Sequence, residues 1–152
     1  MAKFTAEETV AVAAIQQLIN EWGRELDQHH GLSIGPLVSE DCVYVMGPIT
    51  RRGRADVERH YKERFDRLSA QPEGVPTLRH LNSNLCVSFR DADSASITFS
   101  LLFFSTAGMS SGTQHADPAA VADVRMDCRR DSDGHWRISK FDSNQSFRRV
   151  LA

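Results

Sequence analysis

The chain has 152 residues, 41% hydrophobic and 25% charged, which suits one globular domain with a sizeable core. Its 18 Lys and Arg against 20 Asp and Glu leave a net charge of −2. That balance gives no electrostatic reason to expect nucleic acid or an anionic membrane as a partner.

Three cysteines, Cys42, Cys86 and Cys128, lack CxxC spacing and argue against a disulfide framework or a zinc site. Each lies in a strand-like stretch, so each is expected to be a small buried hydrophobe. The N-terminus lacks the apolar core of a signal peptide, and no apolar run approaches the ~20 residues that span a bilayer. A single cytoplasmic domain over residues 1–152 is the expectation.

Thr5 and Glu8 fit a capping box, so a helix should begin near Ala6. Ile15, Leu18, Ile19, Trp22 and Leu26 follow at helical spacing as its buried stripe. Asp27 falls at the edge of that stripe, about 80° from Ile19, where a carboxylate can reach a cavity beside the helix. Gly31 and Pro36 break the helix after His29-His30, and 34–40 has room for one short helical turn. Asp41 to Met46 reads as a strand, and Gly47-Pro48 turns the chain. Arg51, Arg52 and Arg54 form a basic cluster. With no Gly-rich cradle or interleaved aromatics, it reads as a solvated loop and helix start. The second helix carries Val57, Tyr61, Phe65 and Leu68 on one side, with Glu58 and Lys62 as an i,i+4 pair on its wet face.

Pro72, Gly74 and Pro76 mark a loop, and the stretch Thr77 to Phe89 reads as a long strand. Strict alternation puts Leu78, His80, Asn82, Asn84 and Cys86 on one face and Leu81, Leu85, Val87 and Phe89 on the other. Ala95 to Phe104 is the next strand, with Ile97, Phe99, Leu101 and Phe103 apolar. Residues 107–118, rich in Gly, Ser and Thr and holding His115, read as a mobile loop. In the strand Ala119 to Arg130, Ala120, Ala122, Val124, Met126 and Cys128 share the apolar face. Asp131-Ser-Asp-Gly134 signals a hairpin, and Trp136, Ile138, Lys140, Asp142 and Asn144 alternate along the last strand. Helices first and strands in succession afterwards are an α+β signature. A sheet curved around a helix would enclose one apolar pocket suited to a small ligand.

Five stretches together are similar to the SnoaL-like families of the nuclear transport factor 2-like superfamily. They are Ile15-Gln-Gln-Leu18 with Leu26-Asp27, Ser39-Glu-Asp-Cys-Val-Tyr44, Gly53-Arg-Ala-Asp-Val57, Arg79-His-Leu-Asn-Ser-Asn84 and Gly134-His-Trp-Arg-Ile-Ser139. The resemblance runs from residue 7 to about residue 149. It implies an α+β fold in which a cone-shaped, curved antiparallel sheet of cystatin-like type wraps the N-terminal helices. Within that superfamily the chain most resembles the scytalone dehydratase and hexachlorocyclohexane dehydrochlorinase type. Those enzymes carry an aspartate at the end of the first helix and a histidine at the start of the long strand. Asp27 and His80 match these positions, and Asn84 matches the family's asparagine. The departures are a Ser100–Ser105 stretch without the dehydratase's second histidine, Trp22 where the dehydrochlorinase has a lysine, and Phe141 near its arginine.

A neutral imidazole oriented by a carboxylate is a competent base near pH 7. Asp27 and His80 are therefore the candidate catalytic pair. Trp22, Phe65 and Phe103 would wall the pocket, Tyr44 would donate to a developing oxyanion or leaving group, and Asn84 would orient His80 or substrate, unless it serves a ladder or bulge. The six histidines show no H-x-H or H-E-x-x-H spacing, so no metal is expected, and the chemistry asks for no organic cofactor. The expected function is a lyase or isomerase that abstracts a proton from carbon of a small, largely apolar, cyclic or aromatic molecule. A non-catalytic binding or assembly module of the same fold is the alternative, and polyketide-type cyclisation is a third. The expected partners are that small ligand and further copies of the chain, as a dimer or trimer.

Overall fold

A computed structural model describes residues 3–106 and 117–148. The Gly/Ser/Thr-rich segment 107–116, with His115, lies outside the described residues. The elements are α1 (Ala6–His29), a 3-10 turn (Gly35–Leu37), β1 (Val38–Met46), β2 (Ile49–Arg52), α2 (Arg54–Ser69), β3 (Leu78–Asp91), β4 (Ser94–Ser105), β5 (Ala120–Arg130) and β6 (Trp136–Arg148). No helix among them is long and apolar enough to cross a membrane.

Helix α1 starts where its capping box requires. Thr5 Oγ1 accepts from the Glu8 N–H at 3.1 Å, and Glu8 Oε2 accepts from the Thr5 N–H at 2.7 Å. Its stripe of Ile15, Leu18, Ile19, Trp22 and Leu26 is buried against the sheet. On α2, Val57 and Tyr61 are buried. Lys62 pairs with Asp66 at 2.8 Å, so the Glu58–Lys62 pair read from spacing is not the one that forms.

The six strands make one curved, open sheet in the order β2-β1-β6-β5-β4-β3. All neighbours are antiparallel except β1 and β6, which run parallel with Tyr44 opposite Phe141. The α+β class follows from the order of elements, as expected. The short β2, taken from the sequence as a lead-in to α2, is an edge strand. Arg54 turns inward, donating to the Val38 carbonyl and pairing with Glu40 at 2.6 Å. Both helices lie on the buried face of the sheet, α1 against β3 and β6, α2 against β1 and β2.

Strict alternation fails on two strands, for one reason. In β3 the pairing with β4 slips one residue between Ser83 and Cys86, and Asn84 sits there in the left-handed region at φ 57°. This is a β-bulge, which inserts one unpaired residue and bends its strand. It reverses the parity of everything after it. Leu78, His80 and Asn82 face inward before the bulge, and Leu85, Val87 and Phe89 turn inward after it. Leu81 is 54% exposed and Cys86 is exposed, both contrary to unbroken alternation, whereas Cys42 and Cys128 are buried as expected. In β6 a similar slip between Lys140 and Ile138, opposite Asp127 and Cys128, leaves Ser139 as the extra residue. Ile138 and then Phe141 are therefore the buried residues, and Lys140, Asp142 and Asn144 leave the face of Trp136 and Ile138.

An Asn held at φ 57° tolerates glycine but penalises a β-branched side chain by about 1–2 kcal/mol. Asn84→Val should lower the unfolding free energy by about that amount in urea titration, with Asn84→Gly nearly neutral. Equal stability of the two variants would mean that the bulge is not set by this backbone angle.

Candidate active site

The last turn of α1 holds Asp27 in a fixed place. The His30 and Gly31 N–H groups both return to the Glu25 carbonyl, and the buried Glu25 carboxylate accepts from the Ser33 N–H at 2.6 Å. An acidic residue at this end of a helix works against the helix dipole. Asp27 offsets that cost by accepting two hydrogen bonds from one residue of the neighbouring strand. Its Oδ2 accepts from the His80 backbone N–H at 3.0 Å, and its Oδ1 lies 2.6 Å from His80 Nδ1. Strand β3 is at the edge of the sheet, so that N–H has no further strand to bond. β3 also runs close to α1: a Cβ at Gly23, one turn before Asp27, would just touch the Asn82 side chain at 3.4 Å.

Both carboxylate oxygens are acceptors, so the ring nitrogen that meets Asp27 carries the proton. Nε2 is then the bare nitrogen of His80, and no described residue bonds to it. The imidazole packs against Phe103 at 4.8 Å and Trp22 at 5.8 Å between ring centres. The two side chains are only 11% and 13% exposed, which keeps solvent from screening the pair. Burial pushes the His80 pKa below its ordinary 6.5, against the upward pull of Asp27. The ring is therefore neutral at pH 7 and able to accept a proton.

His80 opens onto a cavity of about 160 Å³ on the inner side of the sheet. Trp22, Leu26, Leu101, Phe103 and Phe141 give it apolar walls, and Tyr61, Ser143 and Gln145 are its other polar-tipped residues. That volume is close to the ~150 Å³ which accommodates a benzene ring in an engineered protein cavity. Larger depressions exist elsewhere. One of about 480 Å³ lies on the outer side, among Asn84, Thr98, Asp123, Arg125 and Asn144. It holds neither Asp27 nor His80.

The residues expected at the site divide accordingly. His80, Trp22 and Phe103 line the cavity, and Asp27 stands behind His80, bonded to its ring and backbone. Tyr44 lies beneath it, fully buried, stacked on Phe141 at 4.6 Å, with its hydroxyl oxygen accepting from Trp22 Nε1–H at 2.5 Å. Phe65 does not line the cavity; its ring packs on His30 at 5.6 Å. Asn84 belongs to the outer face because of the bulge it forms. Tyr61 was placed on the right stripe but not in the site. A hydroxyl amid Val57, Phe65 and Leu68 was the available signal, since a buried tyrosine O–H needs a partner.

The SnoaL-like domain pattern matches residues 7–142. The chain belongs to the SnoaL-like domain family. Solved structures agree on the fold. A Novosphingobium aromaticivorans protein provisionally called a scytalone dehydratase shares 18% identity, covers 98% of this chain and 95% of its own, and superposes with a TM-score of 0.76. A type 2 hexachlorocyclohexane dehydrochlorinase, LinA, is 17% identical over 96% of this chain and 92% of its own, with a TM-score of 0.72. A second N. aromaticivorans protein, described as NTF2-like with a cystatin-like fold, is 23% identical over 88% and 80%, at 0.69. No curated protein sequence matches. At these identities the likeness speaks for the fold.

The clamp on His80 makes a titration test possible without a ligand. The NMR titration midpoint of His80 should lie below 6.5 in the wild type. In Asp27→Asn the upward pull is lost, so the midpoint should fall further. A midpoint unchanged by that substitution would mean the carboxylate does not act on the ring.

Proposed function

We propose that this SnoaL-like protein is a cofactor-independent lyase or isomerase in which the Asp27–His80 pair abstracts a proton from carbon of a small, largely apolar cyclic or aromatic substrate. The observation that carries the reading is the double hydrogen bond from His80 to Asp27, which leaves Nε2 bare beside an apolar cavity of one-ring size. A base of this kind needs three things. It must be neutral, its reactive nitrogen must be unencumbered, and its conjugate acid must be stabilised once formed. Burial favours the first, the tautomer favours the second, and the Asp27 charge provides the third.

The step itself is simple. Nε2 takes a proton from carbon, and the C–H electron pair forms a C=C bond as a β substituent leaves with its own pair. Where water is lost, the leaving oxygen carries off the proton that His80 received. Where the proton returns to another carbon, the outcome is isomerisation. The apolar walls exclude water, which strengthens the interaction between imidazolium and carboxylate.

A panel of small cyclic β-hydroxy and β-halo ketones, incubated in D2O, tests this reading. Wild-type protein should form unsaturated product or incorporate deuterium at the acidic carbon. His80→Ala and Asp27→Asn should each lose roughly 10²–10⁴ of the rate. The double variant should lose little more than the worse single, because the pair acts as a unit. The wild-type rate should climb with pH through an ionisation below 6.5, where His80 becomes neutral, and then level off. Rates equal in wild type and His80→Ala for every member of the panel would contradict the reading.

A further inference from the structure

Every carboxylate side chain of the protein can be accounted for, since all 20 Asp and Glu lie among the described residues. The half-buried arginines among those residues are Arg51, Arg54, Arg64, Arg129 and Arg137. Arg54 pairs with Glu40 at 2.6 Å, Arg129 with Asp41 at 2.9 Å, and Arg137 with Asp131 at 3.0 Å and Asp133 at 2.6 Å. Arg51 and Arg64 have no carboxylate partner among the described residues. A partly desolvated guanidinium without a counter-charge is costly, and such groups are normally paired.

The two unpaired arginines flank one histidine. Arg51 lies opposite Tyr44 in the β1–β2 pairing, so it shares the inner face of the sheet with that buried ring. Its Nε–H donates to His60 Nδ1 on α2 at 3.4 Å. A guanidinium can only donate, so the proton of the His60 ring is on Nε2, a further donor. Arg64 follows His60 by four residues on α2, and side chains at that spacing are neighbours. Arg67 continues the same flank at i+7, exposed at its rim. The carboxylates on this part of α2 are engaged elsewhere. Asp56 accepts from the Arg52 N–H at 3.0 Å and pairs with Arg59, and Glu63 lies 4.0 Å from Arg59. Asp66 pairs with Lys62. Burial, then the charges of Arg51, Arg64 and Arg67, hold the His60 pKa below its ordinary 6.5, against the pull of Glu63.

We propose that Arg51, His60 and Arg64 form an anion site between β2 and α2 that takes a dianionic phosphate group. Two permanent positive charges match a dianion better than a single carboxylate, and the guanidinium fork fits phosphate oxygens. The His60 Nε2–H adds a neutral donor, and Arg67 adds charge at the rim. The anion supplies the counter-charge that no side chain of the protein provides. None of Arg51, His60 and Arg64 lines the cavity beside His80, so the site is separate from the chemistry proposed there.

Titration calorimetry with inorganic phosphate and with phenyl phosphate, at about pH 7.5 where phosphate is mostly dianionic, tests this against chloride at equal ionic strength. Wild-type protein should bind at least one of the two with a Kd below about 1 mM. Arg51→Gln and Arg64→Gln should each weaken that binding at least about tenfold, the usual loss for a hydrogen bond to a charged group. Arg24→Gln removes the same charge from an exposed position on α1 and should leave binding unchanged. Tighter binding of phenyl phosphate would support the site and mark its ligand as a phosphate carried by an organic molecule. Equal affinities would support it as a site for the free ion. His60 gives a local readout. Sulfate, a dianion throughout the titration, should raise the NMR midpoint of His60, because a nearby anion favours the imidazolium. No binding of either phosphate beyond that of chloride, an equal loss in Arg24→Gln, or a His60 midpoint unmoved by sulfate would each overturn the proposal.

Discussion

The structure depends on one carboxylate doing two things. Asp27 accepts from the backbone N–H of His80 and from its imidazole. The first bond fixes where β3 lies against α1. The second fixes the ring's tautomer and direction. Joining the two in one side chain means that the geometry of the pair cannot relax without also loosening the contact of helix and sheet edge. The cost of an acidic group at a helix C-terminus, typically about 0.3–1 kcal/mol, is offset by two charge-assisted hydrogen bonds in a nearly dry setting.

Around that pair the core supplies rigidity. Trp22 comes from α1, Tyr44 from β1 and Phe141 from β6, and their rings meet at 4.6–5.3 Å between centres. The buried Trp22–Tyr44 hydrogen bond ties the helix to the parallel strand pair at the floor of the cavity. A polar link in such a place specifies a single arrangement, because a shifted one would leave an indole N–H unbonded, a cost of about 1–3 kcal/mol. The wall of the cavity is thus held by contacts within the core.

Much of this was legible in the sequence. The capping box at Thr5 and Glu8 and the stripe from Ile15 to Leu26 define α1, because helical periodicity is a local property. The family pattern singled out Asp27 and His80, and their pairing needed only the right ends of two elements. What was hidden is non-local. A bulge was one of the roles the sequence left open for Asn84, but Asn82-Ser83-Asn84-Leu85 does not decide it, since Asn is common at strand ends and in loops as well as at positive φ. That single bulge moves Asn84 out of the expected site and turns Leu85, Val87 and Phe89 inward. Ser139 does the same in β6, where it brings in Phe141. Tyr61 rather than Tyr44 lines the cavity for a related reason. Which of two buried hydroxyls faces a cavity depends on how strand and helix pack together, and periodicity does not encode that.

The central claim is that Asp27 holds His80 in one tautomer with Nε2 free for chemistry. A long-range proton–nitrogen correlation spectrum of the His80 imidazole at neutral pH tests it most directly. The account predicts a proton on Nδ1 and a bare Nε2 in the wild type, in a tautomer that loses its dominance in Asp27→Asn. A proton on Nε2 in the wild type would contradict it, because the nitrogen facing the cavity would then be a donor with no lone pair to accept a proton.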